Sequence, residues 1–329
     1  MDQDIYNTIA TFYGFIATGS VLLNGAVILT FYYVRPLLIP ASLPVLSLAI
    51  ADVLLAVLTM PLGIAANVSR RWIFGSAGCN WYAFTHTVVG LSSILHHAVI
   101  ALERCMTIYQ PLKRHFNKRG MMGIIMFVWG LAAVWCFSPI LGWSSYVPEG
   151  SGVVCSIKWK SSGLDAVFVT CTFVLFCFVP FCFIFTCYTA IALNLRKMSK
   201  MAKRTWGRNS RITRDRVTIK KKAIKHGAIM VAAVLTTWLP YAIVALCATI
   251  SEYERMSPLV YSIAAMFAKT STLVNPVVCF FWYRRFREGT KKLWIRARGS
   301  QSGDRRNYSQ TSVVWYTGQS VVLQRVVRN

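Results

Sequence analysis

Apolar positions in this chain come in long unbroken runs rather than in alternating pairs or narrow helical stripes. Seven such runs are present: Phe12–Tyr33, Leu43–Ala66, Cys79–Met106, Met121–Ile140, Val167–Leu193, Ile224–Ile250 and Leu259–Trp282. A membrane helix needs about 20 mostly apolar residues, because the hydrocarbon core is about 30 Å thick and each helical residue rises about 1.5 Å. Core strands are shorter than these runs, and a membrane β-barrel would show short alternating segments instead. Backbone groups surrounded by lipid must bond internally, so each run predicts a helix. The expected fold is an all-α membrane protein, a seven-transmembrane helix bundle embedded in the cell membrane as a multi-pass chain.

Charge supplies the orientation. Of the 36 Lys and Arg residues, 30 fall on the side that holds the 106–121 loop, the 194–224 loop and everything after Trp282. Arg70, Arg71, Lys158, Lys160 and Arg255 lie on the other side, and Lys269 lies within the last run. The basic side is the cytoplasmic one, so the N-terminus, with Asp2 and Asp4 and no basic residue, is outside. The N-terminus lacks the basic region of a cleavable signal, and the first run is expected to act as its own insertion signal. The organisation read from this is an extracellular segment 1–11, a bundle over 12–282, a helix along the membrane surface over 283–298 and a flexible tail over 299–329. The surface helix is suggested by Phe286, Leu293 and Trp294 set among basic residues.

Composition agrees. Apolar residues make up 55 % and charged residues 14 %, against about 25 % charged in a soluble chain, which excludes both a disordered chain and a set of soluble domains. Ten cysteines in 329 residues are too sparse for a disulfide scaffold. The formal net charge of +25 on its own would suit a nucleic-acid binder. Its position on the cytoplasmic loops instead suits anionic membrane lipid and an acidic partner protein, and no nucleic-acid partner is expected.

Polar groups inside the runs carry the functional information, since an ionisable group in a membrane helix costs about 2.5–3.5 kcal/mol on insertion scales. Asp52 with Asn24 and Asn275 would fall at similar depth, either as a structural hydrogen-bond network or as a hydrated site for a sodium ion. Glu103–Arg104 closes the third run at the cytoplasmic boundary, as a docking point for a partner or as an interface anchor. His86, His96 and His97 lie in the same run. Prolines 61, 139, 180, 240 and 276 are expected to kink their helices, with Trp238 and Tyr241 around Pro240 and Phe176, Phe178 and Phe181 around Pro180. Lys269 stands near mid-membrane. It either pairs with a carboxylate or, as a neutral amine, condenses with an aldehyde to a Schiff base. Cys79 and Cys155 both face the oxidising side and are expected to form a disulfide. That bond would draw the loop carrying Glu149 over the bundle, as a counterion to Lys269 or as a solvated loop carboxylate. The sequon at Asn67 lies so close to the second helix that it is expected to remain unmodified.

These residues together resemble the rhodopsin-like G-protein-coupled receptors over roughly residues 10–295. The matching positions are Asn24, Leu48–Ala49–Ile50–Ala51–Asp52, Cys79 with Cys155, Glu103–Arg104–Cys105, Trp129, Pro180, Trp238–Leu239–Pro240–Tyr241 and Asn275–Pro276. Phe267–Ala268–Lys269–Thr270–Ser271 before Asn275–Pro276, with the loop Gly142–Trp143–Ser144–Ser145–Tyr146–Val147–Pro148–Glu149–Gly150, resembles the opsins in particular. The resemblance implies retinal on Lys269, 11-cis in darkness and all-trans after light, in a pocket of Trp238, Tyr241, Gly90, Tyr82, His86 and Phe176. It further implies a helix-six swing about Pro240, and a heterotrimeric G protein docking at Arg104 with Glu103, Tyr188, Asn275, Pro276 and Lys220 taking part. An arrestin is a further implied partner, and a non-enzymatic receptor the implied class.

The chain also departs from that pattern. Vertebrate visual pigments carry a carboxylate at the position of Tyr82, which leaves Glu149 as the counterion, as in many invertebrate and non-visual opsins. A bistable pigment is the resulting expectation. Cys105 and Cys279 stand where tyrosines are usual, and Lys220 stands where an acidic partner of Arg104 is often found. The alternative reading is an opsin of the retinal-photoisomerase kind with little signalling.

Overall fold

The computed structural model describes residues 2–110, 116–160, 162–207, 210–250, 257–282, 286–291, 315–316 and 319–320. Its helices follow the apolar runs. They are α1 (Gln3–Tyr33), α2 (Leu43–Leu58), α3 (Met60–Val68), α4 (Gly75–Tyr109), α5 (Lys118–Phe137), α6 (Leu164–Phe173), α7 (Val179–Trp206), α8 (Arg211–Ile250), α9 (Pro258–Lys269) and α10 (Ser271–Trp282). The second span is α2 with α3, the fifth α6 with α7, and the seventh α9 with α10. Among the described residues six spans are long and apolar enough to cross a membrane, and the sixth in chain order contributes the shorter apolar stretch Leu235–Thr249.

The distribution of side chains is inverted relative to a water-soluble bundle. Phe15, Phe127 and Phe185 are 69 %, 68 % and 70 % exposed, whereas Ser20, Asn24, Asp52 and His96 are buried. Such an apolar exterior suits contact with lipid, and the polar interior ties helices together. Ser47 on α2 accepts from Trp129 Nε1 of α5 at 2.9 Å and meets His96 Nε2 of α4 at 3.1 Å, joining three spans through one hydroxyl. α1 packs on α2 and α3, α4 on α5 and α7, and α7 on α8.

Among the described residues three spans are interrupted, two of them just before a proline. The second breaks at Thr59, just before Pro61. The fifth passes through a π turn over Val174–Phe178 before Pro180, as expected where a missing backbone donor forces a local change of pitch. The seventh breaks between Lys269 and Ser271. Pro139, by contrast, kinks nothing: α5 ends at Phe137, and the proline sits in the turns that follow it. Residues 286–291 of the expected surface helix are helical, and Phe286 is buried against Phe31 and Phe280 at ring distances of 5.6 and 5.1 Å. The rest of the segment 283–298 lies outside the described residues. Of the tail, Trp315–Tyr316 pairs with Gln319–Ser320.

Between the fourth and fifth spans the chain forms a hairpin of β1 (Tyr146–Glu149) and β2 (Val154–Ile157), antiparallel, with Glu149 opposite Val154. The turn between them uses Gly150 and Gly152 at positive φ, 53° and 73°, where glycine meets no steric cost. Cys155 of β2 is disulfide-bonded to Cys79 on α4. Gly152 accepts from Trp72 N–H at 2.9 Å, and Ser151 meets Ser262 of α9 at 3.2 Å. A Cβ on Gly150 would lie 2.7 Å from Tyr261, so the turn sits directly on the seventh span. The hairpin is thereby fixed as a lid across the outer mouth of the bundle.

Candidate functional site

Beneath this lid lies a cavity with about 1130 Å³ of space free of protein atoms. Its walls come from every span except the first and fourth, and from the hairpin. Lys269, Glu149, Trp238, Tyr241, Gly90, Tyr82 and His86 all line it, so seven of the residues singled out from the sequence meet in one chamber. Phe176 does not. The π turn rotates it out of the wall and into the packing of α4 and α5, 5.6 Å from the Trp135 ring. Phe173, Cys177 and Phe181 face the cavity from the fifth span in its place.

Lys269 is the last residue of α9, and the interruption after it leaves carbonyls to be satisfied. The Lys269 carbonyl accepts from Thr272 Oγ1 at 3.0 Å, and the Thr272 carbonyl accepts from Asn24 Nδ2 of α1 at 2.8 Å. A break inside a membrane helix persists only where neighbours take up its backbone groups in this way. The amine, on a residue 8 % exposed, lies 5.1 Å from the centroid of the Tyr13 ring and 6.0 Å from that of Tyr82. Tyr13 of α1 has room for its ring because Gly63 of α3 faces it; a Cβ there would come within 3.1 Å. Two aromatic faces thus flank the cation. The Tyr82 ring also packs 4.6 Å from His86, which hydrogen-bonds Thr59 at 3.0 Å, where the second span breaks.

Glu149 descends from the end of β1 and is 5 % exposed. Its Oε1 accepts from Trp159 Nε1 at 3.1 Å, and the Tyr241 hydroxyl donates to both carboxylate oxygens at 3.3 Å. Burial pushes its carboxyl from 4.5 up to about 7, opposed by the positive charge of Lys269 and by hydrogen bonds from Ser156, Tyr241 and Trp159. The carboxylate and the amine therefore feel each other across the cavity, while the direct bonds of Glu149 go to neutral donors.

Toward the cytoplasm, Asn275 Nδ2 donates to Asp52 Oδ2 at 3.1 Å. Asn24 reaches Asp52 through Ser20 rather than at its carboxylate, donating to Ser20 Oγ at 3.2 Å. Its amide also reaches the Ser20 carbonyl at 3.1 Å, and Ser20 Oγ donates to the Asp52 carbonyl at 3.2 Å. At the end of α4, Arg104 Nε lies 3.7 Å from Glu103 Oε2, and Glu103 Oε1 accepts from Thr107 at 2.9 Å. Tyr188 packs against Ala101, Ile184 and Cys187. The side chain of Lys220 lies outside the described residues.

Sequence reasoning missed Tyr13 and Trp159. Tyr13 is one aromatic among many in apolar runs, and nothing near it in the chain marks it as a neighbour of Lys269. Trp159 had a usable signal: it follows the disulfide cysteine closely, in the segment that returns beside Glu149.

A helical bundle with an outer disulfide-held lid and a buried lysine facing a loop carboxylate defines a membrane receptor with an enclosed ligand chamber. The profile of the 7 transmembrane receptor (rhodopsin family) matches residues 23–278. Rhodopsin of Enteroctopus dofleini is 29 % identical over 293 residues, covering 86 % of this chain and 64 % of that protein. Pinopsin of Gallus gallus is 30 % identical over 291 residues, covering 86 % of this chain and 79 % of that one. The crystal structure of squid rhodopsin superposes with a TM-score of 0.79 at 28 % identity, covering 90 % of this chain and 87 % of that one. The chain belongs to the rhodopsin family of seven-transmembrane receptors, and within it to the opsins. It spans 64 % of the octopus protein's own length.

Proposed function

We propose that this chain is a light-activated receptor that carries retinal on Lys269 as a protonated Schiff base, with Glu149 as counterion, and signals through a heterotrimeric G protein. The observation that carries the reading is a buried amine and a buried carboxylate sharing one cavity in a member of the opsin family. The residues fit such a group on independent grounds. The Tyr82 hydroxyl is buried with no hydrogen-bond partner, and its ring centroid lies 6.0 Å from the amine. The Trp238 ring lies so close to Gly90 that a Cβ would sit 2.6 Å from it, so only glycine keeps the slot open there.

Retinal, when bound, supplies absorption of visible light and a change of isomer. The protein supplies everything else. Lys269 provides the attachment point at a helix break, where its Cα is set by the bonds to Thr272 and Asn24. Tyr13 and Tyr82 present ring faces that favour positive charge at Nζ. Glu149 holds the opposite charge under the lid, kept in place by Trp159 and Tyr241 rather than by the amine alone. Absence of a carboxylate on α4 at Tyr82 leaves this loop carboxylate to serve both before and after illumination, which supports a bistable pigment. Trp238 and Pro240 sit on the same turn of α8, so pressure on the ring acts where a proline has already removed a backbone bond. The Asp52–Asn275 bond and the Glu103–Arg104 pair lie further along the path to the cytoplasm and are placed to report the rearrangement.

The reading is tested by reconstituting the purified chain with 11-cis-retinal. A visible absorption band that Lys269→Ala abolishes is expected, and a second stable spectrum after illumination. A chain without any visible band would overturn the proposal.

A further inference from the structure

Two thiols meet at the cytoplasmic end of the bundle. Cys105 on α4 packs against a small apolar cluster formed by Ala101 of α4 with Ile184 and Cys187 of α7. Neither is in a disulfide; Cys187 is buried and Cys105 half-buried. The helices stay in step beyond the contact, since the Tyr109 hydroxyl, one turn further along α4, reaches the Ala190 carbonyl of α7 at 3.4 Å. Cys105 also follows Arg104 directly in the chain. The receptor function proposed above uses neither thiol.

We propose that Cys105 and Cys187 are a redox modification site: a reversible disulfide that ties the third span to the fifth at the face where the G protein would dock. The oxidant is a small disulfide of the glutathione class. The sulfur of half-buried Cys105, as thiolate, attacks one sulfur of the oxidant, breaking its S–S bond and releasing one thiolate. Buried Cys187 then attacks the Cys105 sulfur of that mixed disulfide, forming the Cys105–Cys187 bond and releasing the second thiolate. The two protons lost by the cysteines go to the two released thiols. Two protein thiols are oxidised, and one small disulfide is reduced. Because cytoplasmic thiols are normally kept reduced, the bond is open at rest and closes under oxidising conditions. Once closed, it fixes the separation of α4 and α7 beside Arg104, on the face where a G protein would dock. That consequence rests on the receptor reading; the bond itself does not.

The test uses the full chain in membranes, treated with oxidised glutathione in the dark and then alkylated. Peptide mapping without reductant should find Cys105 and Cys187 peptides joined, lighter by two hydrogens and separated by dithiothreitol. Light-driven nucleotide exchange on a G protein should be lost as the bond forms and return with dithiothreitol. Cys105→Ser and Cys187→Ser, each compared with its own untreated sample, should show no loss. Mixed glutathione adducts without any joined peptide would overturn the site. A joined peptide with undiminished exchange would overturn the locking role. Failure of untreated protein to drive exchange in light would count against the receptor reading, while the joined peptide still decides whether the bond exists.

Discussion

Replacing Glu149 by glutamine in the ligand-free chain isolates the cost of keeping a carboxylate under the lid. Burial raises this carboxyl from 4.5 to about 7, despite the pull of Lys269 and the three hydrogen-bond donors around it. One pH unit of displacement corresponds to about 1.4 kcal/mol, so the difference amounts to roughly 3 kcal/mol. The folded chain holds the proton more tightly than the unfolded one. The contribution to stability is therefore complete below pH 4.5 and is lost as the pH rises through about 7. Glutamine has the same shape and cannot ionise, so Glu149→Gln should lack that loss. Thermal unfolding of the ligand-free receptor in detergent, from about pH 5 to about pH 8, measures it directly. Wild type should lose stability relative to the variant across this range, with most of the divergence approaching pH 7. Parallel profiles for the two proteins would refute the argument that Glu149 is an ionisable group held in a dry cavity.

With retinal bound, Glu149→Gln should shift absorption into the ultraviolet near neutral pH, because the charge opposite Nζ is gone; an unchanged visible band would remove Glu149 as counterion. Tyr13→Leu should lower the pH at which the visible band titrates away by about 0.4–1.5 units, since a ring face near a cation is worth about 0.5–2 kcal/mol. Tyr13→Phe, which keeps the face, should restore it. Gly90→Leu should prevent uptake of retinal, because Trp238 already fills the space a Cβ would need; normal pigment yield would contradict the packing. Asn67 donates its amide to the Gly63 carbonyl at 2.8 Å and is fully buried, so treatment with a glycosidase should leave the mobility of the chain unchanged.

The seven spans were legible because lipid demands about 20 apolar residues in a row, a signal that survives without any tertiary information. Their ends were less so. α7 runs on to Trp206 and α8 starts at Arg211, well outside the apolar runs, because a helix continues in water once its sequence permits. Lys269, Glu149 and the Cys79–Cys155 pair stood out because charge and thiols are rare enough in their surroundings to be noticed singly. The cavity walls were harder. Phe176 was misplaced by the π turn at Val174–Phe178, which changes the phase of the helix in a way that a regular helical period cannot show. Tyr13 meets Lys269 only through the packing of the first span against the seventh, and the bond from Asn24 to the Thr272 carbonyl depends on the same packing. Such assignments depend on helix rotation, which hydropathy does not fix.

The central claim is that the Lys269 amine bonds retinal, and chemical trapping tests it most directly. The receptor reconstituted with 11-cis-retinal is reduced with borohydride, digested and mapped. A retinyl adduct on the peptide carrying Lys269, and its absence from Lys269→Arg, is the predicted result; an adduct on a different lysine, or none on any, would contradict the account.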